Sequence, residues 1–203
     1  MSPLLLNLIQ SLRCLPGIGP KSAQRMAFHI LQKDRLGARR FIEALEAALE
    51  KVGYCQECRM LSEEIICEYC SNLRRDKSVL CVVEAPDDVI AIESSQQFKG
   101  QYFVLMGHLS PLDRMGPEEI GMPLLEKRFA QGIIKEVIIA TNPTVEGEAT
   151  VHYIAELART YHVHATRIAH GIPMGGELKY VDAGTLAQAL SGRRNYLEQG
   201  SSK

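Results

Sequence analysis

Residues 79–84 read VLCVVE, an unbroken apolar run followed by the single carboxylate of Glu84. Such a run is typical of a strand that is buried on both faces, as in a parallel sheet. Similar runs follow at 102–106, 136–140 and 163–169, and helical patterns occupy 86–96, 117–131 and 147–160. Strands that alternate with helices in this way predict a parallel α/β sheet covered by helices.

The chain before this sheet has only helical patterns. Apolar residues recur at helical spacing in 5–12, 20–31 and 38–52, and Gly53 follows the last of these segments. We therefore expect residues 1–53 to form an all-helical region.

Charge is distributed unevenly along the 203 residues. The net charge is −1, but residues 1–53 carry eight Lys and Arg against four Asp and Glu, whereas residues 54–170 carry 11 against 17. A polyanion is therefore expected to bind at the N-terminal region. The sequence has no apolar run close to the roughly 20 residues of a membrane span and no secretion signal, so we expect a cytoplasmic protein with no membrane partner.

Residues 15–21, LPGIGPK, connect the first two helical patterns through a turn with two glycines. Free backbone N–H groups of such a turn and of the following helix favour an anion. Lys21 and Arg25 are four residues apart and share the helix face beside the turn. Gly17, Gly19, Lys21 and Arg25 are thus candidate contacts to DNA phosphates, without base specificity. The alternative is an ordinary helical connection with solvated charges.

The turn lacks the pattern of a nucleotide-binding loop. Pro20 stands where a P-loop needs glycine, and Ser22 stands where the dinucleotide fingerprint needs glycine. Neither ATP nor NAD is expected to bind here. The order of residues 15–19 instead resembles the helix-hairpin-helix DNA-binding motif, which favours the phosphate-binding interpretation.

Four of the six cysteines form two C-x-x-C pairs: Cys55, Cys58, Cys67 and Cys70. Two such turns can complete a tetrahedral Zn²⁺ site, and because cysteine fills every ligand position, the predicted zinc is structural rather than catalytic. The segment 54–71 has little apolar sequence of its own, so the metal must supply much of its folding free energy. Redox-active or unliganded thiols are the alternative. Cys81, inside a strand pattern, is interpreted as a small core residue.

A second candidate site follows the strand at 136–140, where residues 142–148 read NPTVEGE. The carboxyl ends of parallel strands meet at one edge of a sheet, so Glu84 can lie beside this loop if the two strands are neighbours. Glu84, Glu146 and Glu148 would then form a carboxylate cluster able to bind Mg²⁺.

The strand ending in Glu84 and the later acidic Gly-Glu loop resemble the Toprim domain of topoisomerases and primases. Catalytic members of that family carry an Asp-x-Asp pair where this chain has Asn142 and Thr144. The loss of two negative charges lowers the expected affinity for Mg²⁺, and with it the expectation of phosphoryl transfer. Glu146 and Glu148 could instead only stabilise the N-terminal end of the following helix.

Histidines offer another possible metal site. His162 and His164 are predicted to share one face of the last strand, and His152 and His170 lie nearby in sequence. No cysteine or acidic residue has ligand spacing to them, so ordinary structural histidines are expected.

The order of these elements, ending in GIPMGGEL at residues 171–178, resembles the RecR family of bacterial recombination mediators over essentially the whole chain. The resemblance implies DNA repair by homologous recombination, in which the protein acts with RecO and RecF to help load RecA on gapped single-stranded DNA. It further implies a homo-oligomer, a dimer or tetramer, and a nucleoid-associated location. Residues 171–178 are described in that family as similar to a Walker B element, but without a P-loop no ATPase activity is expected.

The predicted fold is therefore a multidomain α/β protein. Its expected segments are a helix-hairpin-helix DNA-binding region (1–53), a four-cysteine zinc finger (54–71), a Toprim domain (78–173) and a C-terminal oligomerisation segment (174–203). The leading functional hypothesis is a non-enzymatic DNA-binding mediator with no catalytic residue. A metal-dependent nuclease or topoisomerase-like enzyme and a purely structural adaptor are the alternatives.

Overall fold

The structure, a computed structural model, describes residues 1–169, 171–172 and 175–193. The chain divides into two compact units, Met1–Gly53 and Tyr54–Lys203. The description leaves out His170 and residues 173–174 and 194–203. Parts of the predicted segments 171–178 and 174–203 therefore lie outside the described residues.

The first unit is helical, as predicted. It contains α1 (Pro3–Leu12), α2 (Pro20–Lys33) and α3 (Arg35–Lys51), and α2 packs against both other helices. Helix α3 begins earlier than the expected residue 38 because Asp34 caps it, accepting a hydrogen bond of 2.8 Å from the backbone N–H of Gly37.

The second unit begins with the cysteine segment, which contains short strands β1 (Gly53–Tyr54) and β2 (Leu61–Ser62) and helix α4 (Glu68–Ser71). The α/β part then follows as β3 (Asp76–Val83), α5 (Pro86–Ser94), β4 (Gly100–Val104), α6 (Met122–Ala130), β5 (Glu136–Ala140), α7 (Val145–Thr160) and β6 (His164–Arg167). A 3₁₀ turn (Leu178–Tyr180) and α8 (Ala183–Ser191) complete the described elements.

The larger sheet has four strands in the order β4-β3-β5-β6, and every neighbouring pair is parallel. The predicted parallel α/β sheet is confirmed. Strand β3 is central: Leu80 and Val82 enter the core formed with α6 and α7, whereas Cys81 and Val83 enter a second core with residues of α5 and of the cysteine segment. Burial on both faces is the physical reason for the unbroken apolar run in β3.

Several predicted boundaries were wrong, and left-handed backbone explains two of them. Helix α6 begins at Met122 rather than 117 because Gly121, at φ +79°, interrupts helical geometry before it. Strand β4 ends at Val104 rather than 106 because Met106 has φ +60°. Strand β6 spans only His164–Arg167, so His162 precedes it instead of sharing a strand face with His164.

Among the described residues, no helix is both long and apolar enough to cross a membrane.

Candidate functional site

The four cysteines of the two C-x-x-C pairs converge on one point. Their sulfur atoms all lie within 4.8 Å of one another, and all four residues are buried. Tight turns aim them inward: Arg59 N–H donates to the carbonyl of Cys55 at 2.9 Å, and Cys67 N–H donates to the Cys55 sulfur at 3.3 Å. The cluster is thus built by local turns, as the spacing predicted.

This donor set fits a divalent metal. Sulfur–metal bonds of about 2.3 Å in a tetrahedron place sulfurs about 3.8 Å apart, and the Cys58 and Cys67 sulfurs are 3.4 Å apart. Hydrogen bonding between the sulfurs raises the pKa of Cys58 and Cys70 and lowers that of Cys67 to about 2. A metal that replaces these shared protons must release them, so its affinity falls as pH falls. The cluster can hold a metal ion.

The remaining described cysteines are apart from this cluster. Cys81 is buried in β3, and burial raises its pKa to about 12, which is consistent with a small, unreactive core residue. Cys14 is exposed near the glycine turn of the first unit.

The cysteine segment is fastened to the edge of the sheet by contacts that the sequence analysis missed. The N–H of Val104 in edge strand β4 donates to the carbonyl of Cys58 at 2.8 Å. Arg59 donates to the carbonyls of Leu105 and Glu119, both at 2.9 Å. Gly121 makes room for this arginine, because a Cβ there would lie 2.2 Å from the guanidinium. The cysteine segment therefore covers a sheet edge that would otherwise be open.

A second set of contacts ties the same segment to the sheet through aromatic rings. The Arg75 guanidinium lies 5.2 Å from the ring centre of Tyr69 and 5.4 Å from that of Tyr102. It also pairs with Glu93 at 2.5 Å, and the same carboxylate accepts from the Tyr102 hydroxyl. Burial, followed by the hydrogen bond to Glu93, raises the pKa of Tyr102 well above its ordinary value.

At the carboxyl edge of the sheet, Glu84 lies beside the loop that follows β5, because β3 and β5 are neighbours. Both of its oxygens are occupied by Asn142: the backbone N–H donates at 2.8 Å and the side-chain Nδ2 at 2.7 Å. His108 is a further neighbour, with Nδ1 3.6 Å from the same carboxylate. Glu84 is almost completely buried, so this pairing satisfies a carboxylate that would otherwise be costly to bury.

The structure does not bring the three glutamates of this edge together. Glu148 pairs with Arg167 at 2.7 Å, and Glu146 lies in the first turn of α7. The hydroxyl of Thr144 caps that helix by accepting from Gly147 N–H at 3.0 Å. Within the described residues, the four cysteines form the only group of three or more ligand-type side chains close enough to hold one metal. Hence Glu84, Glu146 and Glu148 do not form a three-carboxylate cluster there.

The glycine turn of the first unit leads directly into α2. Gly17 has φ +77°, and Gly19 precedes α2 as its N-cap with Pro20 in the first turn. That first turn has no acidic residue, so the positive end of the helix is not neutralised locally. Lys21 and Arg25 are both exposed, and neither forms an ion pair with another described residue.

Comparison with known proteins first gives the class. The family model for the Toprim domain matches residues 78–169, which include all but the first two residues of the four-stranded sheet, together with its acidic edge. A model described as "RecR, helix-hairpin-helix" matches residues 5–49, and one described as "RecR, C-terminal" matches 171–194. The molecule is a helix-hairpin-helix and Toprim protein with a four-cysteine metal-binding cluster.

Whole-chain relatives then give the family. The chain is 61% identical over 193 residues to "Recombination protein RecR" of Saccharophagus degradans, covering 95% of this chain and 98% of that protein. It is 57% identical to the protein of the same name from Hydrogenovibrio crunogenus, with the same coverage. The chain belongs to the RecR family, as its motifs predicted.

Proposed function

We propose that this protein is a non-enzymatic, DNA-binding mediator of recombinational repair. The observation that carries the proposal lies at the carboxyl edge of the sheet. Asn142 donates hydrogen bonds to both oxygens of Glu84 there, so that this carboxylate is already occupied by neutral donors. A two-metal phosphoryl-transfer site needs free carboxylates that bind cations. An edge that satisfies its buried carboxylate internally suits binding better than catalysis.

The proposed DNA contact is the glycine turn. Gly17 and Gly19 leave the backbone at the start of α2 accessible, and Lys21 and Arg25 supply unpaired charge beside it. These groups can bind successive phosphates of a DNA strand without reading bases. The names of the relatives support the same role, since both are recombination proteins.

The finer assignments follow from family membership. The four-cysteine cluster binds structural Zn²⁺, since thiolate ligands in tetrahedral spacing suit that ion. RecO and RecF are the proposed partners. Their proposed contact is the acidic edge of the sheet, where Glu148 is exposed, Glu146 is half-buried and the buried Glu84 holds Asn142 in place. The proposed outcome is RecA loading on gapped DNA in the nucleoid. The segment bounds 1–53, 54–71, 78–173 and 174–203 belong to the same proposal.

A dimer or tetramer is also proposed. Helix α3 supports it, because large apolar side chains along that helix remain exposed in the single chain: Leu36, Phe41, Ile42, Leu45 and Leu49. Exposed apolar surface of this extent is typical of a face that another molecule covers.

The decisive experiment measures RecA filament formation on gapped DNA coated with single-strand-binding protein, in the presence of RecO. We expect the protein to accelerate loading and to leave the DNA uncut. Plasmid nicking or relaxation with Mg²⁺ or Mn²⁺, abolished by Glu146→Gln, would instead establish the Toprim enzyme alternative.

Replacing both Lys21 and Arg25 by alanine is expected to weaken DNA binding. Loss of two phosphate contacts should lower the slope of log affinity against log salt by about 2 and reduce affinity about tenfold or more at moderate salt. Fluorescence anisotropy across a salt series measures both quantities.

The matched control is Arg39→Ala with Arg40→Ala, which removes the same charge from exposed positions on α3. If the two double variants lose affinity equally, only the net charge of the unit matters, and the assignment to the glycine turn is wrong.

A further inference from the structure

Arg128 is a buried cation without an anionic partner. Only 5% of the residue is exposed, yet within the described part of the chain no carboxylate forms an ion pair with it. Its guanidinium donates to the carbonyl of Tyr102 at 3.1 Å and to the side-chain oxygen of Gln101 at 2.6 Å, and a longer contact of 3.4 Å reaches the carbonyl of Glu57. All three acceptors are neutral.

Such an arrangement is unfavourable by itself. Removing a charge from water costs several kcal/mol even after relaxation, and neutral acceptors return only part of that cost. Arg128 lies on α6 among apolar core residues, three positions after Leu125 and next to Phe129. An apolar side chain would be the expected occupant unless a negative charge lies close by.

The carboxylate of Glu57 is exposed and forms no ion pair with Arg128 among the described residues, which leaves the cysteine cluster as the candidate source of negative charge on this side. Glu57, whose carbonyl Arg128 contacts, lies between Cys55 and Cys58 in the first C-x-x-C turn. Cys70 and Arg128 line the same small cavity, of about 140 Å³. Arg128 therefore contacts the first C-x-x-C turn and shares a cavity with a cysteine of the second.

A second arginine has a similar relation to the cluster. Arg59 directly follows Cys58 and donates only to carbonyl oxygens. Arg75, which contacts the same segment, differs because it has its own carboxylate partner in Glu93. Two arginines that have no carboxylate partner among the described residues thus contact the C-x-x-C turns, Arg59 through its backbone N–H and Arg128 through its guanidinium.

We propose that Arg128, supported by Arg59, is the counter-charge of the metal–thiolate centre. A divalent ion with four thiolates has a formal charge of about −2, which two guanidinium groups balance. This inference rests on the proposed metal site and adds two residues that hold its charge and orientation without touching the metal. Residues with this role typically change metal affinity 10- to 100-fold when they are replaced.

The test compares zinc transfer from the full-length protein to a chromophoric chelator for the parent, Arg128→Met, Arg128→Lys and Arg75→Met. We expect Arg128→Met to weaken zinc binding about 10- to 100-fold. Arg128→Lys should recover most of the loss because it keeps the charge. Arg75→Met should bind zinc like the parent, because its charge is balanced by Glu93.

Urea unfolding, with zinc or with excess chelator, separates charge balance from packing. In the presence of zinc, Arg128→Met should have a lower unfolding midpoint than the parent. In chelator the two midpoints should be equal, because without the metal centre the Arg128 cation has no negative charge to balance. Equal losses in both conditions, or parent-like zinc affinity, would overturn the proposal. If Arg128→Met does not fold, Arg59→Met decides in its place, with a smaller expected loss of affinity because Arg59 is only half-buried. A folded parent protein that binds no zinc would refute the metal site itself.

Discussion

Replacing Cys58 and Cys67 together by serine is expected to abolish metal binding and to destabilise the second unit by about 4 kcal/mol or more. The four buried cysteines are themselves the core of the segment, with partly buried Met60, Ile66 and Tyr69 packed around them. Without a metal, this core has too few apolar contacts to hold its turns. A loss of this size corresponds to a fall in Tm of about 10–15 °C for a chain of this length.

Metal content measured by atomic spectroscopy and thermal unfolding check this prediction. The damage should extend beyond the cysteine segment, because Cys58 supplies the carbonyl that accepts from Val104 in edge strand β4. Hydrogen exchange at Val104 should therefore accelerate in the variant.

Cys14→Ser is the matched control, since Cys14 is exposed and is not one of the four clustered cysteines. It should keep both the metal and the Tm of the parent. The structural role of the metal would be excluded if the parent, stripped by a chelator, kept its Tm and its protection at Val104.

The second large effect is expected from Asn142→Asp. The change removes the Nδ2 donor, now 2.7 Å from Glu84, and puts a second carboxylate in its place. Loss of a hydrogen bond to a buried charge, together with like-charge repulsion, should lower the free energy of unfolding by about 2–4 kcal/mol at neutral pH.

The loss should depend on Mg²⁺ in a defined direction. Mg²⁺ should reduce the deficit, because it neutralises the two adjacent carboxylates through oxygen ligands. Urea unfolding with and without Mg²⁺ measures this effect.

Asn72→Asp provides the comparison. Asn72 is exposed, and its Oδ1 only accepts from Arg74 N–H at 2.9 Å, a role that aspartate can also fill. It should be close to neutral. Parent-like stability of Asn142→Asp without Mg²⁺ would show that the neutral pairing of Glu84 is not what keeps this edge closed.

Much of the architecture followed from local patterns. The doubled C-x-x-C spacing places four sulfurs through two tight turns, and the apolar run of β3 reflects burial on both faces. Both signals are short in sequence, so no long-range information is needed to read them. The cap at Asp34 was missed, although an Asp directly before a helical segment is a local N-cap signal.

The long-range contacts at the candidate sites could not be predicted from such local patterns. Glu84 and Asn142 are 58 residues apart, and they meet only because β3 and β5 are neighbours. Arg128 reaches Glu57 across 71 residues. Its only signal in the sequence was an arginine within the apolar stripe of α6, between Leu125 and Phe129.

The sequence by itself determined the helical first unit, the parallel sheet, the four-cysteine cluster that can hold a metal ion, and the family, because each depends on neighbouring residues or on the order of motifs. Only the tertiary structure decided that Asn142 donates hydrogen bonds to both oxygens of Glu84 and that Glu148 pairs with Arg167. It also decided that Arg59 and Arg128, which have no carboxylate partner among the described residues, contact the C-x-x-C turns. The physical reason is that strand order and helix packing determine which charged residues, distant in sequence, come into contact. The charge balance at a buried site depends on those contacts.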